Sequence, residues 1–185
     1  MPDPDVLSAA EPPAAGDEIA TLVGSLNRQR ATFAWKCGGL DAVGLSATVG
    51  ASTITLGGLL KHLSLVEDDY LCVRLLGRPP TPPWNTVDWD ATPDWEWQSA
   101  AGDTPEQLMG QWQETVERSR LALAEALAGG GLDQRAQGGR WSEPPSLRRL
   151  LIDLVEEYAR HTGHADLIRE SVDGLVGEDP RDAAE

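Results

Sequence analysis

Basic residues are scarce in this chain of 185 residues: Lys and Arg number 15 against 30 Asp and Glu, a formal net charge of −15. Nucleic acid and anionic membranes both call for a basic surface, so neither is expected as a partner. No apolar run approaches the length of a membrane span, and the start Met1-Pro-Asp-Pro-Asp-Val6 lacks the basic and apolar regions of a secretory signal; a cytoplasmic protein is expected. Only two cysteines occur, Cys37 and Cys72, in separate segments without metal-binding spacing, and each reads as a small apolar filler rather than a reactive thiol. Strand-like alternation, internal repeats and Gly-rich phosphate loops are all missing. No Gly-x-Ser-x-Gly turn is present, which removes the main sign of a serine hydrolase.

What is present is helical. Residues 1–15, with Pro2, Pro4, Pro12 and Pro13 among Asp, Glu and Ala, read as a disordered leader. From about Gly16 to Lys36, Ile19, Leu22, Val23, Leu26 and Phe33 recur at helical spacing. A second helix is expected from a cap at Ser52 or Thr53 to about Leu76, with Thr55, Leu59, Val66, Asp69, Tyr70 and Val73 on its inner side. Gly57 and Gly58 in its first turn fit either a close neighbour or a loose start. A third runs from Thr104-Pro105 to about Ala128, and a fourth from a Ser146 cap to about Val172. Four amphipathic helices make an all-α, four-helix bundle over residues 16–176, followed by a flexible acidic tail over 177–185. Between the second and third helices, residues 77–103 form a long loop rich in proline and tryptophan, including Trp84, Trp89, Trp95 and Trp97. A loop of that length is functional or disordered as a rule, and its aromatic content speaks against disorder. The indoles either cover one end of the core or line a substrate pocket.

Histidine is also rare, with three in the chain, and all fall on inward helical faces. On the last helix Glu157, His161 and His164 lie within about 60° of arc, bordered by Leu150, Leu154, Tyr158 and Ile168. On the second helix His62 points the same way. A glutamate and two imidazoles facing a core are costly unless paired, and a divalent cation suits a carboxylate beside neutral imidazoles. His62, Glu157 and His161 would give three ligands and leave a position open for water or substrate. His164 is read as an outer donor or proton carrier, because a fourth protein ligand would close the site. Asp69 and Asp153 sit where they could orient a ligating imidazole, although ordinary ion pairs are the simpler reading. Arg148, Arg149 and Arg160 read as a solvated face. A two-metal carboxylate site would need Glu-x-x-His on two helices, and only the last helix has anything similar.

These residues resemble a known group. Leu60-Lys-His62-Leu-Ser-Leu-Val-Glu67, the run Glu156-Glu-Tyr-Ala-Arg-His161-Thr-Gly-His164-Ala-Asp-Leu-Ile-Arg-Glu170, the segment Trp35-Lys-Cys-Gly-Gly-Leu40 and the tryptophan-rich loop are similar to the DinB/YfiT-like superfamily, and within it to the actinobacterial mycothiol-transferase group. The resemblance implies a four-helix bundle with a divalent metal, zinc or nickel, on His62, Glu157 and His161. It also implies mycothiol as the thiol cosubstrate, whose metal-activated sulfur attacks an electrophilic small molecule. Relatives often carry histidine where this chain has Asp153, so a role for histidine there is not transferred. Two other readings stay open from the residues: a metal-containing or stress-associated protein without turnover, and a metal-dependent hydrolase or isomerase acting through bound water. Bundles of this kind often pair, so a homodimer is compatible.

Overall fold

A computed structural model describes residues 11–179. Among them the chain is helical without a strand, and four long helices form the expected bundle. Helix α1 spans Glu18–Cys37 and the short α2 spans Ala42–Leu45. Helix α3 covers Leu56–Glu67 and runs on without a break as a π-helical stretch, Asp68–Leu75. The short α4 is Trp95–Ser99, α5 is Pro105–Gly129 and α6 is Leu147–Asp173. The long helices pack α1 against α6 and α3 against both α5 and α6. None of the described helices is long and apolar enough to cross a membrane.

Local chemistry sets the ends. Asp17 caps α1 by accepting from Ala20 N, and Ser146 caps α6 by accepting from Arg149 N. Thr104 and Gln107 form a reciprocal capping box on α5 with Pro105 in the first turn. Gly174 ends α6 in the left-handed region at φ 77°. The start of α3 corrects the sequence reading: the cap is Thr55, accepting from Gly58 N, rather than Ser52 or Thr53. All three are capping residues, and only packing selects among them. Packing also explains the two glycines that follow. A Cβ on Gly58 would come within 2.9 Å of Trp97 Cε3, and one on Gly57 would meet Leu108 and the Leu45 carbonyl oxygen.

The π-helical stretch is a second departure. Its wider turns keep the row Leu63, Glu67, Leu71 and Leu75 buried along one line, whereas Asp69, Tyr70 and Val73, placed inward by uniform helical spacing, are only half-buried. Asp68 at its start is buried and accepts from Thr81 N and Oγ1, which ties the proline-rich loop to the helix.

The core is aliphatic around one aromatic group, Phe33 edge-on to both Trp112 and Tyr158. At its centre each long helix contributes to a polar knot. Arg30 of α1 donates through Nε and Nη2 to both oxygens of Glu67 of α3, at 2.7 Å each. Ser119 of α5 donates to Glu67, and Trp112 Nε1 donates to Tyr158 OH of α6 at 2.9 Å. Arg30 and Glu67 are 2% and 0% exposed, so the forked pair has to be satisfied internally, and it is. Burial, with Glu67 next, holds the Tyr158 hydroxyl well above its usual pKa, so it stays protonated.

Residues 1–10 and 180–185, which carry most of the expected leader and tail, lie outside the described residues. Of the remainder, Pro12 lies against Gly24 of α1, and Arg28 pairs with Glu11, Glu178 and Asp179, which links the two ends of the described chain.

Candidate metal centre

His62, Glu157 and His161 come together. One donor atom from each lies within 4.8 Å of the other two, on α3 for the first and on α6 for the other pair. Glu157 Oε2 is 3.8 Å from His62 Nε2 and 3.4 Å from His161 Nε2, and the two imidazole centroids are 4.8 Å apart. Donors tetrahedrally arranged about a cation at about 2.1 Å would be separated by about 3.4 Å, so these atoms are nearly in place. Glu157 and His161 meet because residues four apart on a helix stack on one face. His62 meets them because α3 packs on α6.

The other ring nitrogens are also engaged. His62 Nδ1 is 3.4 Å from Glu96 Oε1, and His161 Nδ1 is 3.3 Å from His164 Nδ1. Both imidazoles therefore turn Nε2 toward the shared gap and Nδ1 away from it. If Nδ1 of His62 carries the proton and donates it to Glu96, its Nε2 presents a lone pair toward the carboxylate oxygen of Glu157. Two lone pairs facing each other repel, and a cation between them removes the conflict; the donor set fits a divalent ion. Burial, reinforced by neighbouring His62, His164 and Arg160, pushes the His161 pKa down to about 4, so this imidazole is neutral at pH 7. A neutral imidazole is the form that coordinates a metal.

His164 is half-buried and reaches the cluster only through His161 in this arrangement. Asp153 pairs with Arg149 at 2.6 Å and Asp69 with Arg74, so the plainer of the two sequence readings describes their geometry. Arg148 is spent on Glu18 and Asp133, and Arg160 is exposed. Cys37 and Cys72 are both buried, and burial raises the pKa of each thiol, so neither supplies a thiolate.

Glu96 is a residue that the sequence does not single out, whereas Trp97 is one of the loop indoles it marks. Glu96 and Trp97, consecutive on α4, both touch His62: the first through Nδ1, the second by stacking on the ring at 4.6 Å between centroids and 22° between planes. The loop stands out in the sequence for its tryptophans, but nothing in its irregular pattern singles out one carboxylate. Trp84 instead covers the core, at 2% exposure and edge-on to Trp95. Trp97 therefore lies beside the candidate centre, whereas Trp84 covers the core.

A four-helix bundle whose second and last long helices bring two imidazoles and a carboxylate to one gap defines a class of helical proteins with a potential single-ion centre. The family comparison is more specific. The mycothiol-S-transferase family model matches residues 21–174, and the chain belongs to that family. The match runs from within α1 to the end of α6 and includes every residue of the cluster. A search among curated proteins returns no match.

Proposed function

We propose that the protein is a metal-dependent thiol S-transferase that joins mycothiol to an electrophilic small molecule, with His62, Glu157 and His161 holding the ion. The observation that carries this reading is the convergence of the three donors on one gap, within a chain of the mycothiol-S-transferase family. A divalent cation, zinc or nickel, supplies the acidity that makes a thiol a thiolate near neutral pH. The chain's own residues do the rest. His62 and His161 offer Nε2 lone pairs, and Glu157 offers one carboxylate oxygen. With three side chains facing the gap, an ion held there would keep a position for an incoming sulfur. Half-buried Trp97 forms an apolar wall beside His62 and keeps water from that side. His164 meets His161 Nδ1 through its own Nδ1 and is half-buried, which suits it to orient that ring from outside the gap. The nucleophile must come from outside the chain, because Cys37 and Cys72 are buried and protonated.

The test pairs metal analysis with turnover. The purified parent should carry close to one divalent ion per chain, and His62→Ala, Glu157→Ala and His161→Ala should each lose it. Metal-loaded parent should consume members of a panel of electrophiles only when mycothiol is added. Loss of electrophile with water alone would favour a hydrolase, and no conjugation across the panel at full metal loading would reject the transferase reading.

A further inference from the structure

Of the three clustered donors, His62 has the least support from its own helix. Glu157 and His161 stand one turn apart on α6 and brace each other, while His62 is alone on α3. Its ring has to be oriented from elsewhere, and α4 does this with two consecutive side chains. The Glu96 contact at Nδ1 acts in the plane of the imidazole, and the Trp97 stack acts on its face. An in-plane hydrogen bond together with a face-on stack leaves the ring little freedom to rotate about χ2. The hydrogen bond also selects which nitrogen carries the proton.

The segment that delivers these residues is fastened to α3 at two positions just before His62. Lys61, 4% exposed, reaches Ser99 Oγ at 2.7 Å and Asp103 Oδ2 at 2.6 Å, and its ammonium lies 4.5 Å from the Trp95 ring centroid. One turn earlier the Trp97 indole rests on Gly58, where an added Cβ would come within 2.9 Å of Trp97 Cε3.

Glu96 itself is a liability to the fold. It is 6% exposed, and its Oε2 is buried without a hydrogen-bond partner. Half-satisfied buried carboxylates destabilise, and sequences keep such local violations mainly where a site requires them.

We propose that Glu96 and Trp97 are positioning residues for His62: Glu96 accepts the Nδ1 proton and Trp97 clamps the ring, so that the Nε2 lone pair enters the gap shared with Glu157 and His161. The tryptophan-rich loop is therefore part of the centre rather than a cover over it. The effect on metal affinity rests on the function proposed above; the effect on the His62 tautomer does not.

The experiment follows both in the parent, Glu96→Gln and Glu96→Ala. Nitrogen-15 NMR of the His62 ring reads the tautomer in metal-free protein, cobalt(II) titration followed by visible absorption reads affinity, and thermal unfolding reports on the fold. Metal-free parent should hold the proton on Nδ1, Glu96→Ala should shift it toward Nε2, and Glu96→Gln, which keeps an acceptor oxygen, should fall between. Cobalt affinity should drop about 10–100-fold in Glu96→Ala and less in Glu96→Gln. The melting temperature of Glu96→Gln should equal or exceed the parent's, because a buried charge has been removed. An unchanged His62 tautomer in Glu96→Ala overturns the proposal. So does an affinity loss matched in both variants by a lower melting temperature, which would make Glu96 a structural residue. A parent that takes up no cation would sink the metal centre alone, since the tautomer shift still decides the role of Glu96.

Discussion

Replacing Gly58 with alanine pits two effects of opposite sign against each other. Alanine at a helical glycine ordinarily stabilises by about 0.5–1 kcal/mol, because the unfolded chain loses freedom. At this position the new methyl would lie 2.9 Å from Trp97 Cε3, 3.4 Å from Cζ3 and 3.1 Å from Thr55 Oγ1. Carbon atoms settle about 3.5–4.0 Å apart, so the indole must retreat by roughly 0.6–1 Å. It cannot do so freely, since it is stacked on His62 and its segment is tied down through Lys61. Overpacking of this kind costs about 1–3 kcal/mol, which at the middle of both ranges outweighs the propensity gain and leaves a net loss of about 1 kcal/mol. At this chain length that lowers the melting temperature by roughly 2–4 °C. Gly110→Ala on α5 is the control: nothing lies within 4 Å of its added Cβ, so it should stabilise by about 0.5–1 kcal/mol. Thermal unfolding of both variants, with metal titration of Gly58→Ala, reads the result. If Gly58→Ala stabilises as much as Gly110→Ala and binds metal like the parent, Trp97 is not the rigid wall described above.

Three further outcomes are expected. Glu67→Gln leaves the buried Arg30 charge without its partner and should cost about 3–5 kcal/mol in urea unfolding, whereas a loss under 1 kcal/mol would mean that water reaches the pair. His161 binds its proton less readily in the folded protein, at about 4, than at its ordinary value of 6.5, so unfolded chains hold more protons between these limits. Metal-free protein should then lose stability as pH falls from about 6.5 toward 4, by about 1–2 kcal/mol after allowing for solvent at the half-open cluster, and His161→Ala should flatten that slope in denaturant melts. Asp153→Ala removes only an i,i+4 ion pair with Arg149, so stability should change by at most about 0.5 kcal/mol and metal affinity not at all; a tenfold weaker site would give Asp153 a role that its contacts do not show.

The bundle was legible because its information is local. Leu108, Trp112, Val116, Ser119 and Leu123 recur at helical spacing and are buried, and the caps at Asp17, Thr104 and Ser146 stand within a turn of the residues they serve. The three clustered donors could be read for the same reason, since each lies on a periodic inward face. The rest depends on chain segments meeting in space. Arg30 and Glu67 are charged residues on amphipathic helices and look solvent-facing until the opposing helix is known. Glu96 lies 34 residues from His62, in a loop with no period to place it. The π-helical turns after Glu67 shift the helical register, so a uniform wheel misplaces Asp69, Tyr70 and Val73. Ser52 and Thr53 read as the caps of α3, and Thr55, read as part of its inner face, is the residue that accepts from Gly58 N.

X-ray absorption at the zinc edge, with and without mycothiol, bears on the proposed chemistry more directly than any activity assay. Without thiol the account predicts nitrogen and oxygen neighbours only, from two imidazoles, one carboxylate and solvent. Mycothiol should add one sulfur at about 2.3 Å while both imidazoles stay bound. A zinc shell that acquires no sulfur in saturating mycothiol, or that already holds a fourth protein ligand, would contradict it.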